Sequence, residues 1–430
     1  MELHSIVLIV TAAAAVLFTL GVPVILCMGV WASAVLYYTE AFPLANIGQS
    51  AFFGLKYFAL LAMPLFILTG DLVSAGGISR RLIDFSNAVL RRVPGRTSVS
   101  TVGACGLFAA ISGSNAATTA AIGRIMIPEM KRRGYSGAYA AAISAAGGTV
   151  GVIIPPSLVF ILYAVLMNLS AGDLFIAGLL PGVLMMVAMM VVAALMARRN
   201  GWDTMQVHEH SAPSVLRTAW DARTGFLVIL AALGGIYAGI FSPTEAAGVA
   251  VVLCLLSGLL LTRELKVRAI IPTMFSSAAI AGLIAPIVAV SMTLQETLTV
   301  IGITESVNAL VADVTTSASG VLMLSMAVVF IAGCVLESVP VVIIFAPILA
   351  PMAVAAGVDP IHFAVVFVVG STIGFITPPY GLNLYMAAGI SGENFLKIAI
   401  GVMPYLIALL GVWLAIAFFP QISLLILQML

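Results

Sequence analysis

Two short segments, one in each half of the chain, combine small residues with a pair of prolines inside an apolar run. Residues 147–156 and 370–379 align without a gap at an offset of 223 positions, which also relates Pro128 to Pro351. Glycine and proline should interrupt a helix there, and we expect each proline pair to open the helix that follows. The freed backbone carbonyls, with nearby hydroxyls, suit a desolvated sodium ion, whereas helix N-termini suit an anion. One break alone is also what a proline kink produces, but a paired break is typical of the binding site of a secondary transporter.

A second pair of polar stretches lies at the same offset and supplies further oxygen atoms. Ser112, Ser114 and Asn115 interrupt one apolar segment, and Glu337 and Ser338 interrupt its counterpart. A carboxylate at membrane depth is costly and by default functional, although Glu337 could instead be hydrogen-bonded inside a packed bundle. The sequence therefore predicts two sodium sites and two or more co-transported sodium ions. The predicted ligands of the first site are Ser112, Ser114, Asn115, Gly148, Thr149 and Gly151. The predicted ligands of the second site are Glu337, Ser338, Gly370, Ser371, Thr372, Gly374 and Thr377.

An anionic substrate is expected between the two polar stretches, where helix N-termini would meet its charge. Arg124 lies well inside one of these segments. Its guanidinium either faces a carboxylate of the substrate or snorkels to the nearby basic interface. The predicted substrate-binding residues are Ser114, Asn115, Arg124, Pro155, Pro156, Pro340, Pro378 and Pro379.

The composition indicates a membrane protein. Hydrophobic residues make up 62% of the 430 residues and charged residues 8%, against roughly 25% charged in a typical soluble domain. This length allows about a dozen crossings of ~20 residues each and leaves little for a soluble domain. Four cysteines are scattered singly through apolar runs, which indicates packing rather than a redox or metal set. His208 and His210 form a His-x-His that either binds a metal or lies in a solvated loop.

The apolar runs divide into two repeats of an all-α polytopic fold, joined by a polar linker. The first repeat, residues 1–197, is predicted to contain scaffold helices within 3–75, an arm helix at 79–93, a hairpin at 97–133, a broken helix at 136–168 and a helix at 172–197. Residues 198–223 are the predicted linker. The second repeat, residues 224–430, is predicted to contain scaffold helices within 224–292, a hairpin at 316–354, a broken helix at 360–390 and a helix at 398–420.

The hairpins are expected to re-enter the membrane, and the repeats to be inverted. Residues 97–133 begin after one basic cluster and end in another, and the first limb, residues 97–111, rises only ~22 Å against a ~30 Å core. All 18 Lys and Arg residues except Lys56 and Arg124 lie on the predicted cytoplasmic side. The loops expected at 293–315 and 355–360 contain none, so the second hairpin should enter from outside.

The orientation depends on residues 3–39. They are too long for one untilted span, so we expect two helices that turn at residues 21–23, with one long tilted helix as the alternative. The absence of a basic residue before this apolar run argues against a signal peptide. The two-helix arrangement predicts a periplasmic N-terminus, a cytoplasmic linker and a periplasmic C-terminus. The outer loops would then hold only acidic charges: Glu40, Asp173, Glu296, Glu305, Asp313 and Asp359.

Four phrases of the sequence resemble the large membrane subunit of tripartite ATP-independent periplasmic (TRAP) transporters. They are residues 123–130, 147–156, 237–248 and 374–382, and the resemblance runs over essentially the whole chain. It implies a bacterial inner-membrane protein that works by a sodium-driven elevator mechanism, in which hairpins and broken helices move against a scaffold. It also implies a periplasmic binding protein that delivers an organic acid, such as sialic acid or a C4-dicarboxylate. A small four-helix membrane subunit is expected as a separate chain.

Two alternatives remain. The Ser-x-Ser-Asn motif with Thr118 and Thr119 also resembles the hairpins of sodium-dicarboxylate symporters, which act without a binding protein. The alternative of another class is a membrane-embedded enzyme or a purely structural subunit. An enzyme would need a motif such as His-Glu-x-x-His on a membrane helix, or a base near its nucleophile. The histidines instead lie near chain ends, in the linker or near the outer face, so no catalytic residue is predicted. No nucleic-acid partner is expected either.

Overall fold

The computed structural model describes residues 3–39, 43, 45–203, 214–315 and 317–429, and every regular element in that part of the chain is helical. The first half contains, in chain order, α1 (Leu3–Thr19), α2 (Val24–Thr39), α3 (Ala45–Leu55), a 3₁₀ turn (Phe58–Leu61), α4 (Ala62–Ala75), α5 (Ile78–Val89), α6 (Arg96–Ser112), α7 (Asn115–Arg132), α8 (Gly137–Gly148), α9 (Val150–Ile153), α10 (Leu158–Met167) and α11 (Ala171–Asn200). The second half contains α12 (Val215–Asp221), α13 (Arg223–Ile229), a π turn (Leu230–Gly234), α14 (Gly235–Tyr237), α15 (Pro243–Leu256), a π turn (Ser257–Leu261), α16 (Val267–Val300), α17 (Ile303–Val314), α18 (Ala318–Val335), α19 (Ser338–Ala355), α20 (Pro360–Gly374), α21 (Leu382–Ser391), α22 (Phe395–Phe418) and α23 (Gln421–Met429).

The number of long apolar helices confirms the predicted class. Within the described residues, 8 helical stretches are long and apolar enough to cross a membrane, or 9 if α12 and residues 223–237, bent by 63°, count as one span. The fold is therefore an all-α polytopic membrane protein with two inverted repeats, each with a hairpin and a broken helix. The stretch from α8 to α10 lies deepest, because 94% of its most apolar part is buried within the protein.

Residues 3–39 form two helices rather than one long helix. Gly21 lies in the left-handed region between α1 and α2, with a φ of 85°. The Trp31 indole N–H donates to Thr11 Oγ1 at 2.9 Å, so the two helices pack side by side. Glu40, the acidic residue expected after this pair, lies outside the described residues.

The hairpins turn at the two polar stretches. In the first, α6 ends at Gly113, whose φ of 60° suits glycine, and α7 begins after Ser114, whose hydroxyl accepts from the Ala117 amide at 3.3 Å. In the second, α18 and α19 are joined by Leu336 and Glu337. The second hairpin is described from residue 317 onward, since residue 316 lies outside the described part.

The first broken helix contradicts the expectation that the prolines open the next helix. Pro155 and Pro156 lie in a non-helical stretch between α9 and α10 and are joined by a cis peptide bond. A proline disfavours the α region for the residue before it, and Ile154 is accordingly extended, with a ψ of 123°. Helix α10 begins only after Ser157, whose hydroxyl accepts from the Phe160 amide at 3.2 Å.

The second broken helix departs from the expectation in the same way. Pro378 and Pro379, also joined by a cis peptide bond, lie between α20 and α21. Helix α21 begins after Gly381, which has a φ of 51° and supplies no side-chain cap. The two breaks therefore share their prolines but differ in how the following helix starts.

Several segments expected to be loops are helical. Residues 293–315 were predicted as an outer loop, but α16 runs through to Val300 and α17 fills most of the rest. At the offset of 223, α17 lies almost at the position of α5, so it is the arm helix of the second repeat. The amphipathic pattern that predicts an arm helix at 79–93 is weaker in residues 303–314, which carry only two charged residues, Glu305 and Asp313. A further helix, α23, follows the last predicted span.

The linker is shorter than predicted. Helix α11 continues to Asn200 and α12 lies within the predicted range 198–223, with the Ser214 hydroxyl accepting from the Arg217 amide at 3.2 Å. Residues 204–213, which include the His-x-His motif, lie outside the described residues. The arm helix α5 also ends early relative to the predicted 79–93, because Pro94 and Gly95 follow it.

Ion pairs and aromatic rings hold the base of the first hairpin. Glu129 pairs with Arg132 at 2.6 Å and with Arg133 at 2.7 Å. Partial burial raises the pKa of the Glu129 carboxyl, but the hydrogen bonds and charges of these two arginines outweigh it and hold the pKa below its usual range. Next to them, the Asp203 carboxylate accepts from the Thr97 amide at 2.8 Å, so the start of the linker is bound to the start of α6.

Candidate functional site

The tip of the first hairpin lies directly against the first break. The Leu158 amide donates to the Gly113 carbonyl at 3.3 Å, which joins the start of α10 to the hairpin turn. At the same tip, the Thr118 hydroxyl donates to the Ser114 carbonyl at 2.7 Å and lies 3.2 Å from Ser112 Oγ. A buried cluster of hydroxyl and carbonyl oxygens results, and it includes two of the predicted sodium ligands.

Two glycines of the first broken helix allow this close approach. A Cβ at Gly151 would lie 2.7 Å from both the Ser114 carbonyl oxygen and Thr118 Oγ1. A Cβ at Gly148 would collide with Thr119 Oγ1. The predicted ligands Gly148 and Gly151 therefore face the hairpin, and their lack of a side chain leaves room for its oxygens.

Two further predicted residues of the first site lie near this contact. Asn115 is buried and its side-chain oxygen accepts a hydrogen bond from the Asn383 amide. Thr149 is also buried, but its hydroxyl donates to the Ala146 carbonyl of its own helix at 2.7 Å. The Thr149 hydroxyl is thus already hydrogen-bonded within the first broken helix, while Asn115 is hydrogen-bonded to a residue of the second repeat.

Asn383 is the residue that the sequence reading missed. It is fully buried in α21 and also donates to the Ala145 carbonyl at 2.9 Å, so it links the second broken helix to the first hairpin and the first broken helix. A single asparagine within an apolar stretch, five residues after Pro378, was the available signal. Its contact partners lie more than 230 positions away, and no local pattern identifies them.

The second hairpin meets the second broken helix through fewer oxygens. Ser338 Oγ and Ser371 Oγ lie 3.1 Å apart and both side chains are buried. A Cβ at Gly374 would collide with the backbone of Gly333 in α18, so the two helices touch backbone to backbone. The hydroxyl of Thr372 donates to the Val368 carbonyl at 2.7 Å, and that of Thr377, just after α20, donates back to the Ile373 carbonyl of this helix at 2.9 Å.

Two predicted ligands of the second site take no part in this contact. A Cβ at Gly370 would collide with the ring of Trp413 in α22, so this glycine serves helix packing. Glu337 precedes α19 with an exposed side chain, and the described residues offer that carboxylate neither a hydrogen bond nor an ion pair. The hydrogen bond that the packed-bundle alternative requires for Glu337 is not found among the described residues.

The predicted substrate-binding prolines differ in exposure. Pro155, Pro156 and Pro340 are buried, whereas Pro378 is half-buried and Pro379 is exposed. Beside the exposed proline, Tyr380 is 52% exposed and its ring lies 5.6 Å from that of Tyr385. The second break is thus the more accessible of the two.

Arg124 lies on the exposed side of α7, and the described residues provide no acidic partner for it. Both of its predicted roles are compatible with this position.

The donors around both hairpin tips are hydroxyl, amide and carbonyl oxygens. Such a set fits a hard cation such as sodium.

Comparison with known proteins decides the family. Residues 11–422 match the family described as the tripartite ATP-independent periplasmic transporter, DctM component. The chain belongs to this family. A C4-dicarboxylate TRAP transporter large permease protein, DctM, of Pseudomonas aeruginosa is 37% identical over 86% of this chain and 86% of its own length. The 2,3-diketo-L-gulonate TRAP transporter large permease protein of Escherichia coli is 30% identical over 95% of its length.

A third relative is longer than this DctM-family chain. The isethionate TRAP transporter permease protein DctMQ of Oleidesulfovibrio alaskensis is 34% identical over 95% of this chain, which spans 64% of the relative's length. All three are named as transporter permeases, which confirms the prediction that the chain is a transport protein and not an enzyme. Among solved structures, the YdaH transporter of Alcanivorax borkumensis aligns with a TM-score of 0.65, 14% identity and coverage of 89% and 88% of the two chains, and so shares the fold.

Proposed function

We propose that this DctM-family protein is the transport subunit of a TRAP transporter that uses sodium to drive uptake of an organic acid anion. The observation that carries the proposal is the pair of contacts between hairpin tip and broken helix, one in each repeat, both lined by buried hydroxyls. Paired irregular backbone of this kind is where secondary transporters bind substrate and coupling ions. The hairpins and broken helices would move together as an elevator against the scaffold helices.

Two or more sodium ions would be co-transported, one at each hairpin tip. At the first, Ser112, Ser114 and Asn115 would bind the ion with backbone oxygens near Gly148 and Gly151. At the second, Ser338 and Ser371 would contribute, with Thr372, Gly374 and Thr377 close by and Glu337 at the tip. The proposed ligands are the hydroxyl, amide and carbonyl oxygens of these tips, which suit a hard cation.

The substrate would bind between the two tips. The N-termini of α7, near Ser114 and Asn115, and of α19, near Pro340, offer amides and a positive dipole to an anion. The exposed Pro379 and the guanidinium of Arg124 would complete the site. Three relatives are named for C4-dicarboxylate, 2,3-diketo-L-gulonate and isethionate, and each of these substrates carries an acidic group. We therefore propose an organic acid of the sialic acid or C4-dicarboxylate class.

The proposed partners follow the tripartite organisation of the family. They are a small four-helix membrane subunit, a periplasmic substrate-binding protein and the lipid bilayer of the bacterial inner membrane. The N- and C-termini would lie in the periplasm and the linker in the cytoplasm. A stand-alone sodium-dicarboxylate symporter of the same architecture is the alternative.

Uptake into proteoliposomes tests the proposal. The chain is reconstituted with its small subunit, and labelled substrate is supplied with or without the binding protein under an inward sodium gradient. We expect uptake only when both the gradient and the binding protein are present. Uptake that follows a proton gradient equally well without sodium contradicts sodium coupling. Uptake that needs sodium but no binding protein supports the stand-alone symporter.

A further inference from the structure

Two oxygens at the first hairpin tip are buried without a hydrogen-bond partner. Thr119 Oγ1 and Asn383 Oδ1 belong to side chains with 0% exposure, and neither atom has a hydrogen-bond partner among the described residues. A buried acceptor without a hydrogen bond lowers the stability of the folded state, so each such atom is expected to bind a ligand. These two lie in the part of the protein where a sodium ion is proposed, which makes them more informative than unpaired hydroxyls elsewhere.

The surroundings of Gly148 bring the two side chains together. Thr119 Oγ1 lies where a Cβ of Gly148 would stand, and the Asn383 nitrogen lies 3.1 Å from the same point. Asn383 donates one amide hydrogen to Asn115 and the other to the Ala145 carbonyl. A carbonyl can only accept, so the nitrogen must face Ala145 and the oxygen of Asn383 is left free. Both donors of this amide are thus used to fix its orientation.

The second repeat has no equivalent of this arrangement. The offset of 223 positions places Val342 at the position of Thr119 and Phe160 at the position of Asn383. Both of these residues are buried and apolar. The two unpaired oxygens are therefore specific to the first site and do not follow from the repeat itself.

We propose that Thr119 Oγ1 and Asn383 Oδ1 are ligands of the sodium ion at the first hairpin tip, so that this site is assembled from both repeats. The inference rests on the proposed sodium coupling. The proposal also bears on movement, because Asn383 belongs to α21 whereas the other ligands of this sodium ion belong to the first repeat. Sodium at the first site then holds the second broken helix against the first hairpin, and the site loses ligands when α21 moves away.

Thermal unfolding of the purified chain with its small subunit tests this without transport. The midpoint is measured in NaCl, KCl and choline chloride at equal ionic strength. We expect a stabilisation of the wild type that only sodium produces. Thr119→Val, which copies Val342, should raise the sodium concentration for half of the shift by about tenfold or more, as expected for the loss of an ion ligand. Thr119→Ser keeps the oxygen and should retain most of the shift.

Asn383→Leu should cause a similar loss although its residue lies in the other repeat. The matched control is Thr293→Val, which removes another buried hydroxyl without a partner, in the scaffold helix α16. This control should keep the wild-type response to sodium. If Asn383→Leu does not fold, Thr119→Val and Thr119→Ser still decide the question.

Three results would overturn the inference. One is a Thr119→Val protein that changes stability equally in all salts and keeps the full sodium shift, since the hydroxyl is then only structural. Another is Thr119→Ser behaving like Thr119→Val. The third is a wild type stabilised equally by every salt, which assigns water to the two oxygens. Sodium-dependent uptake by the wild type in any of these cases leaves the proposed function standing, whereas sodium-independent uptake refutes that function whatever the unfolding shows.

Discussion

The two hairpin tips bind their broken helices through different chemistry, although the sequence offset aligns them residue by residue. Three hydroxyl residues of the first tip, Ser112, Thr118 and Thr119, correspond to Val335, Val341 and Val342 of the second. At the first tip, the hairpin contributes the hydroxyl groups to the contact and the broken helix contributes glycines. In the second the broken helix brings its own hydroxyl, from Ser371, to a single serine of the hairpin.

The two breaks differ in exposure as well. Every residue from 147 to 157 is buried, whereas the corresponding stretch of the second break becomes exposed from Pro379 onward. Ser157, which caps α10, corresponds to Tyr380, and α21 starts instead from a glycine. The duplicated contact between hairpin tip and broken helix is therefore closed and rich in oxygens in the first repeat, and more open and less polar in the second. We expect the second break to be the part that meets substrate.

Membrane topology offers the all-or-none test of this comparison, because the two breaks are inverted copies only if the chain ends share one side. Single cysteines are introduced as Glu2→Cys, Gln206→Cys and Gln421→Cys in a chain lacking the four native cysteines. An impermeant maleimide added to intact cells should label positions 2 and 421 but not 206, while permeabilised cells label all three. Labelling of only one of positions 2 and 421 would show that the two breaks are not inverted copies, and labelling of position 206 alone would reverse the orientation and both site assignments.

The next largest effect is expected from a methyl group placed in the second contact. Gly374→Ala pushes a methyl into the backbone of Gly333, which cannot rotate away, and should cost about 2 kcal/mol or more of stability. Gly151→Ala meets one backbone oxygen and one hydroxyl that can turn, so we expect a smaller loss. Denaturant unfolding of the purified complex measures both.

Gly389→Ala is the matched control for this pair, because a Cβ there meets nothing within 4 Å. It should stabilise α21 by up to about 1 kcal/mol, since alanine favours a helix over glycine. Equal losses from Gly374→Ala and Gly151→Ala would show that the two contacts are equally tight and would weaken the comparison.

Arg124 tests whether the first tip also faces the substrate. Arg124→Gln should raise the KM for substrate by about tenfold if the guanidinium meets a carboxylate, since a charge-assisted hydrogen bond is lost. Arg132→Gln, at the base of the same helix, removes a charge that pairs with Glu129 and should leave the KM unchanged. An unchanged KM for Arg124→Gln would assign this arginine to the membrane interface.

The smallest effect is expected at the less polar second tip. Ser338→Ala and Thr372→Ala should weaken the sodium dependence of uptake by a few-fold, because each removes one neutral oxygen near the proposed ion. Expression level and thermal stability in choline should change less than the sodium response. A sodium response identical to that of the wild type in both variants would remove these hydroxyls from the second site.

The sequence predicts the breaks and the hairpin turns well because glycine, proline and polar residues act locally. Residues 112–115 and the two proline pairs lie where helices end, because Gly113 adopts a left-handed φ and each proline lacks a backbone N–H. The start of α10 could not be placed correctly, because proline's effect on Ile154 and the cap at Ser157 together outweigh the preference of proline for a first turn. Such competition between neighbouring residues is visible only in the structure.

Long-range pairing limits what the sequence reveals about the site. Asn383 contacts Asn115 and Ala145 from the other repeat, and no spacing rule connects them. Helix α17 was missed for a different reason, since its two charged residues, Glu305 and Asp313, mark a polar face less clearly than the five charged residues of 79–93 do. Gly370 fits the sodium pattern by its type, yet its neighbour Trp413 gives it a packing role.

Because α16 is long, the energy of this protein in a membrane depends on the thickness of the bilayer. Its 34 residues rise ~51 Å at 1.5 Å each, whereas a hydrocarbon core is ~30 Å thick. Such a helix must tilt strongly, project beyond the lipid or thicken the bilayer around it, and each response carries an elastic cost that depends on acyl-chain length. The energy of the scaffold, against which the hairpins would move, is therefore set in part by the lipids of the host membrane.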